Sequence, residues 1–443
     1  MSYPAIVGFI MMLVIIWILI KQKTSTIFAF TVIPIIAAVI LGKGPQDIGN
    51  YLTKGFAMTI PVSLIMLFSL PYFMLMADTG LFNGIVRRIL KRISLTPIVL
   101  TVLTLIVSII VGFDVSITSI YLIAIPLFLP FYKRLKMDPM ILMFISTLGV
   151  IDTFDVPWSA RMLRSASLLH GVNNGTMVIF QRMLPAQALF TVILFVIAIW
   201  LGIKEQKRLK KEYGESFIKE ATGKGNIEDI KDDPELGRPN LFWTNVVLTL
   251  LVIAALCFLT AVPTYYVFAL GLVIALAINY PDLKQQNKVL KKYAASLFPV
   301  MPAILLSGVV VGVMQFSGMM KAMVQTLVAI IPASMGPWVY IIVAIFAVPL
   351  MFLFTNDTWY YVLLPIVISL MNEYHVSPIV VIATLFFNMG AMLTPIAQPQ
   401  IYLGIDLTHG AVTFDRYAKY AFLPIWGLSI VLLVLGLLTG SFR

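Results

Sequence analysis

The chain has 443 residues, of which 60% are hydrophobic and only 12% are charged, with a net charge of +11. Soluble proteins carry about 25% charged residues, so this composition excludes a water-soluble fold and predicts a polytopic membrane protein built from helices. The positive charge does not indicate a nucleic-acid partner, because the basic residues lie in short clusters at the ends of apolar runs, as membrane topology requires.

Apolar runs of spanning length are the candidates for membrane-crossing helices. In chain order they cover residues 4–20, 27–41, 56–76, 183–203, 241–260, 262–280, 295–314 and 417–438. The first run has no basic segment before it and no small-residue cleavage site, so we expect a retained span rather than a signal peptide. Other apolar stretches are interrupted by polar residues, at 97–132, 139–171, 332–371 and 378–410. The polar segment 204–240, rich in Lys, Glu, Asp and Gly, is expected to be a cytoplasmic linker.

The stretch 97–132 is too short to cross the membrane twice. The basic clusters at 87–92 and 133–136 flank it, and the positive-inside rule places both in the cytoplasm. Two arms of ~17 residues each reach only ~25 Å, less than the ~30 Å hydrocarbon core. We therefore predict a re-entrant hairpin with its tip at 112–119. The same reasoning places the N-terminus outside and gives about five crossings in the first half.

The two halves of the chain resemble each other at a nearly constant offset of 238 or 239 positions. The matched pairs are Gly80 with Gly318, Val86 with Val324, Tyr121 with Tyr360, Pro126 with Pro365, Pro139 with Pro378, and Pro157 with Pro395. An odd number of crossings in the first half inverts the second half, and inverted repeats with broken helices are a transporter architecture.

The predicted fold is an all-α polytopic membrane protein made of two inverted repeats. Each repeat has about five transmembrane helices and a re-entrant hairpin, which gives about 10 spans plus two hairpins, or 11–12 spans if the hairpins are counted as spans. The first half covers 1–203, with its hairpin at 97–132 and a broken helix at 139–171. After the linker at 204–240, the second half covers 241–443, with its hairpin at 332–371 and a broken helix at 378–410.

The interruptions of the two halves also correspond. At the 239 offset the first tip, 116–119, lies over 355–358, and the broken helices are interrupted at 152–158 and 394–400. Non-helical backbone at membrane depth is tolerated where it is buried in protein or lines an aqueous cavity. We therefore expect the four interruptions to line one pseudo-symmetric cavity. The alternative is that they are ordinary turns at the membrane surface. The candidate substrate-binding residues are Ser116, Thr118, Ser119, Pro157, Trp158, Arg161, Arg164, Thr355, Asn356, Thr358, Thr394 and Gln398.

Charged side chains within these segments are costly in a bilayer and need a partner or a function. Arg161 and Arg164 are three residues apart on one helical face, and guanidinium groups suit carboxylates bidentately. The alternative is that the two arginines pair with Asp152 and Asp155 and serve only the structure. Carboxylates at the tips and the first break are candidates to bind a coupling ion or a proton: Asp114, Asp357 and Asp155.

Several segments together resemble the citrate–divalent-metal/proton symporter family, CitMHS, and the likeness covers nearly the whole chain. The segments are DTGLF at 78–82, LPFYKRL followed by MDP at 129–139, VPW at 156–158 and FTNDTWYY at 354–361. Arg164 falls on an arginine of the family, whereas Arg161 replaces a proline. The resemblance implies the fold of the ion-transporter superfamily, with a scaffold domain, a transport domain with two re-entrant hairpins, a homodimer and elevator-type motion.

These observations predict a secondary active transporter of an organic anion, citrate or a related carboxylate, in a multi-pass protein of the bacterial cell membrane. Proton symport is the expected coupling, and the substrate is expected free or as a complex with Mg²⁺ or Ca²⁺. A citrate trianion complexed with a divalent cation keeps one net negative charge, which one arginine can balance. No permanently bound cofactor is expected. Because P-loop, HExxH and GxSxG motifs are absent, neither ATP-driven transport by this chain alone nor enzymatic hydrolysis is expected.

Two rival functions stay open. One is a cation/proton antiporter of the same superfamily fold, in which Asp114 and Asp357 exchange ions and no organic substrate binds. The other is a non-transporting scaffold or receptor. The arginines favour the anion carrier, because positive charge inside the membrane hinders cation exchange.

Overall fold

The computed structural model describes most of the chain. The described residues are 2–21, 24–90, 96–113, 117–169, 172, 174–221, 233–259, 262–298, 301–332, 334–352, 354, 356–394, 397–398 and 400–443. Within them the regular secondary structure is helical, without strands. Together with the long apolar helices described below, this confirms the expected class of an all-helical membrane protein.

Most helices of the first half overlap the predicted apolar runs, and two of them begin well before their run. They are α1 (Tyr3–Ile20), α2 (Thr26–Ile40), α3 (Pro45–Asp78), α4 (Leu81–Leu90), α5 (Pro97–Gly112), α6 (Ile117–Arg134), α7 (Pro139–Asp152), α8 (Ala160–Ala166) and α9 (Gly175–Ala221). Local chemistry fixes several starts. Thr96 and Asp138 cap α5 and α7 through their side-chain oxygens, and a proline follows each cap, where its missing N–H is not needed. Ser159 caps α8 by accepting the Met162 N–H at 3.0 Å.

The second half contains more and shorter helical pieces. They are α10 (Phe242–Phe258), α11 (Thr264–Asn279), α12 (Leu283–Leu297), α13 (Met301–Phe316), α14 (Met319–Ile330), α15 (Val339–Ile345), α16 (Ala347–Leu350), α17 (Asn356–Thr358), α18 (Leu364–Glu373), α19 (Pro378–Leu385), α20 (Gln400–Asp406) and α21 (Phe414–Leu438). A π-helical turn, Trp359–Leu363, joins α17 to α18, and a 3-10 turn, Met389–Leu393, lies between α19 and α20.

Four helices among the described residues are long and apolar enough to cross a membrane alone. They cover Pro45–Asp78, Gly175–Ile218, Pro239–Leu256 and Phe414–Leu438. The pair α13 and α14 also passes this test when taken together, with a bend of 65° at the break between them. Shorter apolar helices, α5 and α7 among them, supply the remaining candidates. The total of about 10 spans stays a prediction.

Two predicted segments, 295–314 and 204–240, are divided differently in the structure. The run 295–314 is not one helix, because α12 continues to Leu297 and α13 begins at Met301. The polar segment 204–240 begins as helix, because α9 extends to Ala221 with a kink at Gly214. Residues 222–232 of that segment lie outside the described residues. Hydropathy alone does not detect either boundary, since it reports the polarity of a segment and not its backbone conformation.

The helices α3 and α13 cross so closely that their backbones touch. A Cβ added to Gly308 would meet the backbone oxygen of Gly55 at 2.5 Å, and one added to Gly312 would lie 3.0 Å from the Cα of Gly55. Thr59 joins the same crossing by donating its hydroxyl hydrogen to the Leu305 carbonyl at 2.9 Å. Small residues that allow such contact are a common device between membrane helices.

Several local features recur at the sequence offset of 238 or 239. Gly80 and Gly318 both adopt left-handed backbone, with φ of 84° and 89°. The non-glycine residues Lys136 and His375 do the same, with φ of 53° and 60°. In each case the backbone N–H of the next residue donates a hydrogen bond to a carbonyl in the last turn of the preceding helix. Met137 donates to the Tyr132 carbonyl, and Val376 donates to the Met371 carbonyl.

Candidate functional site

The first hairpin and the first broken helix meet at the residues that interrupt them. A Cβ on Gly112, the last residue of α5, would come within 2.6 Å of the Thr153 hydroxyl. The indole N–H of Trp158 donates to the Phe113 carbonyl at 3.0 Å. The Trp158 ring also stacks on Phe73 of α3, with ring centroids 4.8 Å apart. The structure therefore places Trp158 in a packing role at this junction.

Arg164, on α8, forms an ion pair across the two halves of the chain. Its Nη2 lies 3.0 Å from Oδ1 of Asp357 in α17. The other carboxylate oxygen of Asp357 accepts a hydrogen bond from the Thr26 hydroxyl of α2 at 3.1 Å. Asp357 thus joins three elements that are far apart in sequence. The Arg164 and Asp357 side chains retain 13% and 19% of their exposure, so the pair is not fully sealed.

Arg161, one turn before Arg164, is buried and bound to neutral groups. Its Nη1 donates to Oδ1 of Asn388, and its guanidinium lies 3.3 Å from the centroid of the Phe154 ring. The Tyr360 hydroxyl, which donates to the Phe386 carbonyl at 2.7 Å, also lies 3.3 Å from the same Asn388 oxygen. Among the described residues, no carboxylate forms an ion pair with Arg161.

Asn388 lies at the centre of this network. Its amide Nδ2 donates to Oδ1 of Asn356 at 2.9 Å, and the Asn356 amide donates in turn to the Ala397 carbonyl at 2.8 Å. The second hairpin and the second broken helix are therefore tied together by Asn356, which the sequence predicted, and by Asn388, which it did not.

Each guanidinium has one N–H group that no described residue satisfies. Arg161 Nη2 and Arg164 Nε are both buried and have no hydrogen-bond acceptor among the described residues. A buried donor without an acceptor is costly, so such groups mark positions that a bound anion would fill. With two guanidiniums and the carboxylate of Asp357, the site carries a net charge of +1.

The acidic residues of the first break do not pair with the arginines. Oδ1 of Asp152 accepts hydrogen bonds from Gln187 at 2.9 Å and Thr191 at 2.7 Å, both on α9. Asp155 is only 3% exposed, and its Oδ2 has no hydrogen-bond donor among the described residues. The alternative in which Asp152 and Asp155 neutralise the two arginines is therefore wrong.

The remaining predicted site residues fall into three groups. Pro157, Thr358, Thr394 and Gln398 are buried around the two breaks, and the Gln398 N–H closes a turn onto the Thr394 carbonyl at 2.9 Å. Ser119, the last residue of the predicted first tip, lies in the first turn of α6. Asp114, Ser116 and Thr355 lie outside the described residues, as does the side chain of Thr118.

The sequence reasoning missed Thr26, Asn388 and Tyr360 as members of the site. Asn388 gave a usable signal, since it is the only amide in the apolar segment 378–393 and a polar side chain at membrane depth calls for a partner. Tyr360 was noted as a repeat match and as part of the segment 354–361 that carries the family resemblance, but not as a site residue. Thr26 gave no sequence signal of a role in the site, because hydroxyl residues are common in the first turn of a helix and Thr26 is the first residue of α2.

Comparisons with known proteins give the chain its family. The sequence model described as the Na+/H+ antiporter family matches residues 1–203. A curated protein named Citrate transporter, from Bacillus subtilis (strain 168), is 31% identical over 98% of this chain and 99% of its own length. The chain belongs to the citrate transporter family CitMHS. The Mg(2+)/citrate complex secondary transporter of the same organism is 30% identical to this CitMHS chain, over 99% of the chain and 98% of that protein.

A solved structure supports the fold of this CitMHS protein. The YdaH transporter of Alcanivorax borkumensis superposes with a TM-score of 0.56, covering 88% of this chain and 87% of that one, at 12% identity. At this identity the likeness concerns the fold alone. The family assignment makes the chain a membrane transporter, as the sequence predicted, and not an enzyme.

Proposed function

We propose that this chain is a secondary active transporter of citrate or a closely related carboxylate, carried as a complex with a divalent cation and coupled to protons. The observation that carries the proposal is the pair of buried N–H groups on Arg161 and Arg164 that no described residue satisfies. The groups lie one helical turn apart at the junction of both halves. Carboxylate oxygens are the acceptors that guanidinium donors bind most strongly.

The charge of the site supports a metal complex over the free anion. The two arginines and Asp357 sum to +1, which matches the single negative charge of a citrate trianion bound to a divalent cation. Free citrate would leave an excess of two negative charges in a desolvated site, at a large cost. The printed name of one relative, a Mg(2+)/citrate complex transporter, agrees with this choice.

Asp155 is the acid that we assign to the proton. Its buried Oδ2 has neither a hydrogen-bond donor nor a cation among the described residues, and a buried charge without such partners is costly. A proton removes that cost. Asp357 is less suited to this role, because Arg164 already compensates its charge. Asp114 is the remaining candidate that the sequence predicted.

We further propose that the halves form inverted repeats which move as an elevator within a homodimer. Support for the repeat comes from hydrogen bonds at equivalent positions. Tyr121 bonds to Thr147, and Tyr360 bonds to the carbonyl of Phe386, each 26 positions further along the chain. The matched left-handed residues at 80 and 318 add to this. The elevator and the homodimer rest on the family resemblance.

A cation/proton antiporter is the second candidate, because the Na+/H+ antiporter model matches the first half. The surplus guanidinium argues against it. A cation that enters beside Arg161 meets a buried positive charge with no carboxylate to offset it among the described residues.

A thermal-shift screen of the purified protein separates the candidates. Carboxylates are added with and without Mg²⁺, and Na⁺ and K⁺ are tested alone. We expect stabilisation by citrate with Mg²⁺ and a smaller effect of citrate alone, since a bound ligand raises the melting temperature. Stabilisation by a monovalent cation with no response to any carboxylate would instead support the antiporter.

A further inference from the structure

Asp357 occupies only half of the binding fork that Arg164 offers. The side-on fork of a guanidinium consists of Nε and Nη2, and a bidentate carboxylate takes both. In Arg164, Nη2 lies 3.0 Å from Asp357 Oδ1 as an ion pair, but that oxygen accepts no hydrogen bond from a described residue, and Nε has no acceptor among the described residues. A substrate carboxylate that binds both nitrogens must therefore displace Asp357 from Nη2.

The contact between Arg164 and Asp357 is not sealed from a ligand. Both side chains keep a small exposed fraction, 13% and 19%, and Asp357 Oδ1 accepts no hydrogen bond from a described residue, so the ion pair lacks the hydrogen bond that would hold it in place. The second oxygen of Asp357 is held by the Thr26 hydroxyl at 3.1 Å. The neighbouring Asn356 is fixed separately, by Asn388 and the Ala397 carbonyl. The Asp357 carboxylate can therefore turn without dismantling the network around Arg161.

A displaced Asp357 changes what the site will accept. Its negative charge would lie next to the incoming carboxylate, and like charges brought together at a binding site are strongly unfavourable. A divalent cation that arrives with the substrate reverses this effect, because carboxylate oxygens are its preferred ligands. Rejecting one ligand by repulsion is a common basis of specificity.

We propose that Asp357 selects the metal complex over the free anion, an inference that rests on the proposed function. In the empty transporter Asp357 holds Arg164. When a substrate carboxylate takes the fork, Asp357 turns to the divalent cation of the complex. The residue is thus a specificity determinant, and its position beside Thr26 sets how readily it turns.

The test compares binding of Mg²⁺–citrate and metal-free citrate by calorimetry, in buffers freed of divalent cations on a chelating resin. The variant is Asp357→Asn, and the control is Asp406→Asn, an exposed acid on α20. We expect the wild type and the control to prefer the complex. In Asp357→Asn this preference should fall by about tenfold or more, through tighter binding of free citrate and weaker binding of the complex.

A second variant covers the case in which Asp357→Asn does not fold. Thr26→Val keeps the shape of the side chain and removes one hydrogen bond that restrains Asp357, so Mg²⁺–citrate should bind about threefold to tenfold more tightly. Unchanged preference in folded Asp357→Asn, or weaker binding of the complex by Thr26→Val, overturns the inference alone. A wild type that binds neither form of citrate overturns the proposed function and this inference with it.

Discussion

At the scale of single residues, the buried positive charges of Arg161 and Arg164 are stabilised in different ways. Arg164 is neutralised by Asp357 at 3.0 Å. Arg161 keeps its charge and relies on the Asn388 oxygen and the face of the Phe154 ring, which stabilise a cation without cancelling it. A buried charge that no opposite charge compensates lowers the stability of the fold. An anionic ligand bound beside Arg161 would supply the missing negative charge and restore that stability.

Arg161→Gln should weaken binding of Mg²⁺–citrate by about tenfold or more, since a hydrogen bond to a charged group is lost together with the surplus positive charge. Glutamine can still donate to Asn388, so the fold should persist. The matched control is Arg182→Gln, which removes an arginine bound to the Ser441 carbonyl at 3.0 Å near the C-terminus. Isothermal titration calorimetry measures both. Equal affinities for Arg161→Gln and the wild type would exclude Arg161 from the site.

The sequence predicted the two arginines but not their partners. Arg161 and Asn388 are 227 positions apart, and Thr26 and Asp357 are 331 apart. Residue type and spacing report which side chains share a helix face, and they carry no information on which faces meet across the fold. For that reason the nearby Asp152 and Asp155 looked like natural partners, whereas Asp152 is bound by two residues of α9.

At the scale of helices, the crossing of α3 and α13 brings two backbones into contact. Gly308→Ala should lower the melting temperature and destabilise the protein by roughly 1–3 kcal/mol, because the new methyl group overlaps the Gly55 backbone. Gly427→Ala in α21 is the control, since an added Cβ there meets nothing within 4 Å. A thermal unfolding curve for each variant checks this. A loss of stability in Gly427→Ala as large as in Gly308→Ala would contradict it.

Helix positions were well predicted wherever hydropathy and capping agree. The runs 27–41 and 417–438 correspond to α2 and α21 within a few residues, because each helix has a hydroxyl cap just before an apolar stretch. The helix α3 begins at Pro45, well before the predicted run at 56. Its first turns are too polar to register as a span, and only the Gly-Pro start marks them.

At the scale of the whole molecule, the candidate site belongs to neither half alone. Arg161 and Arg164 come from the first half, while Asn388 and Asp357 come from the second. Movement of one half relative to the other would therefore remodel the site directly, as alternating access requires. The constant offset in the sequence predicts that the halves are related, whereas the position of the site between them follows only from the packing.

Uptake of radiolabelled citrate into proteoliposomes tests the central claim most directly. Wild-type protein is reconstituted with and without Mg²⁺ outside, and with and without an inwardly directed proton gradient. The account predicts uptake that needs Mg²⁺, rises with the gradient, and drops about tenfold or more in Arg164→Lys, because an ammonium group cannot form the planar fork. Citrate uptake that is independent of both Mg²⁺ and the gradient, or that is unchanged in Arg164→Lys, would contradict it.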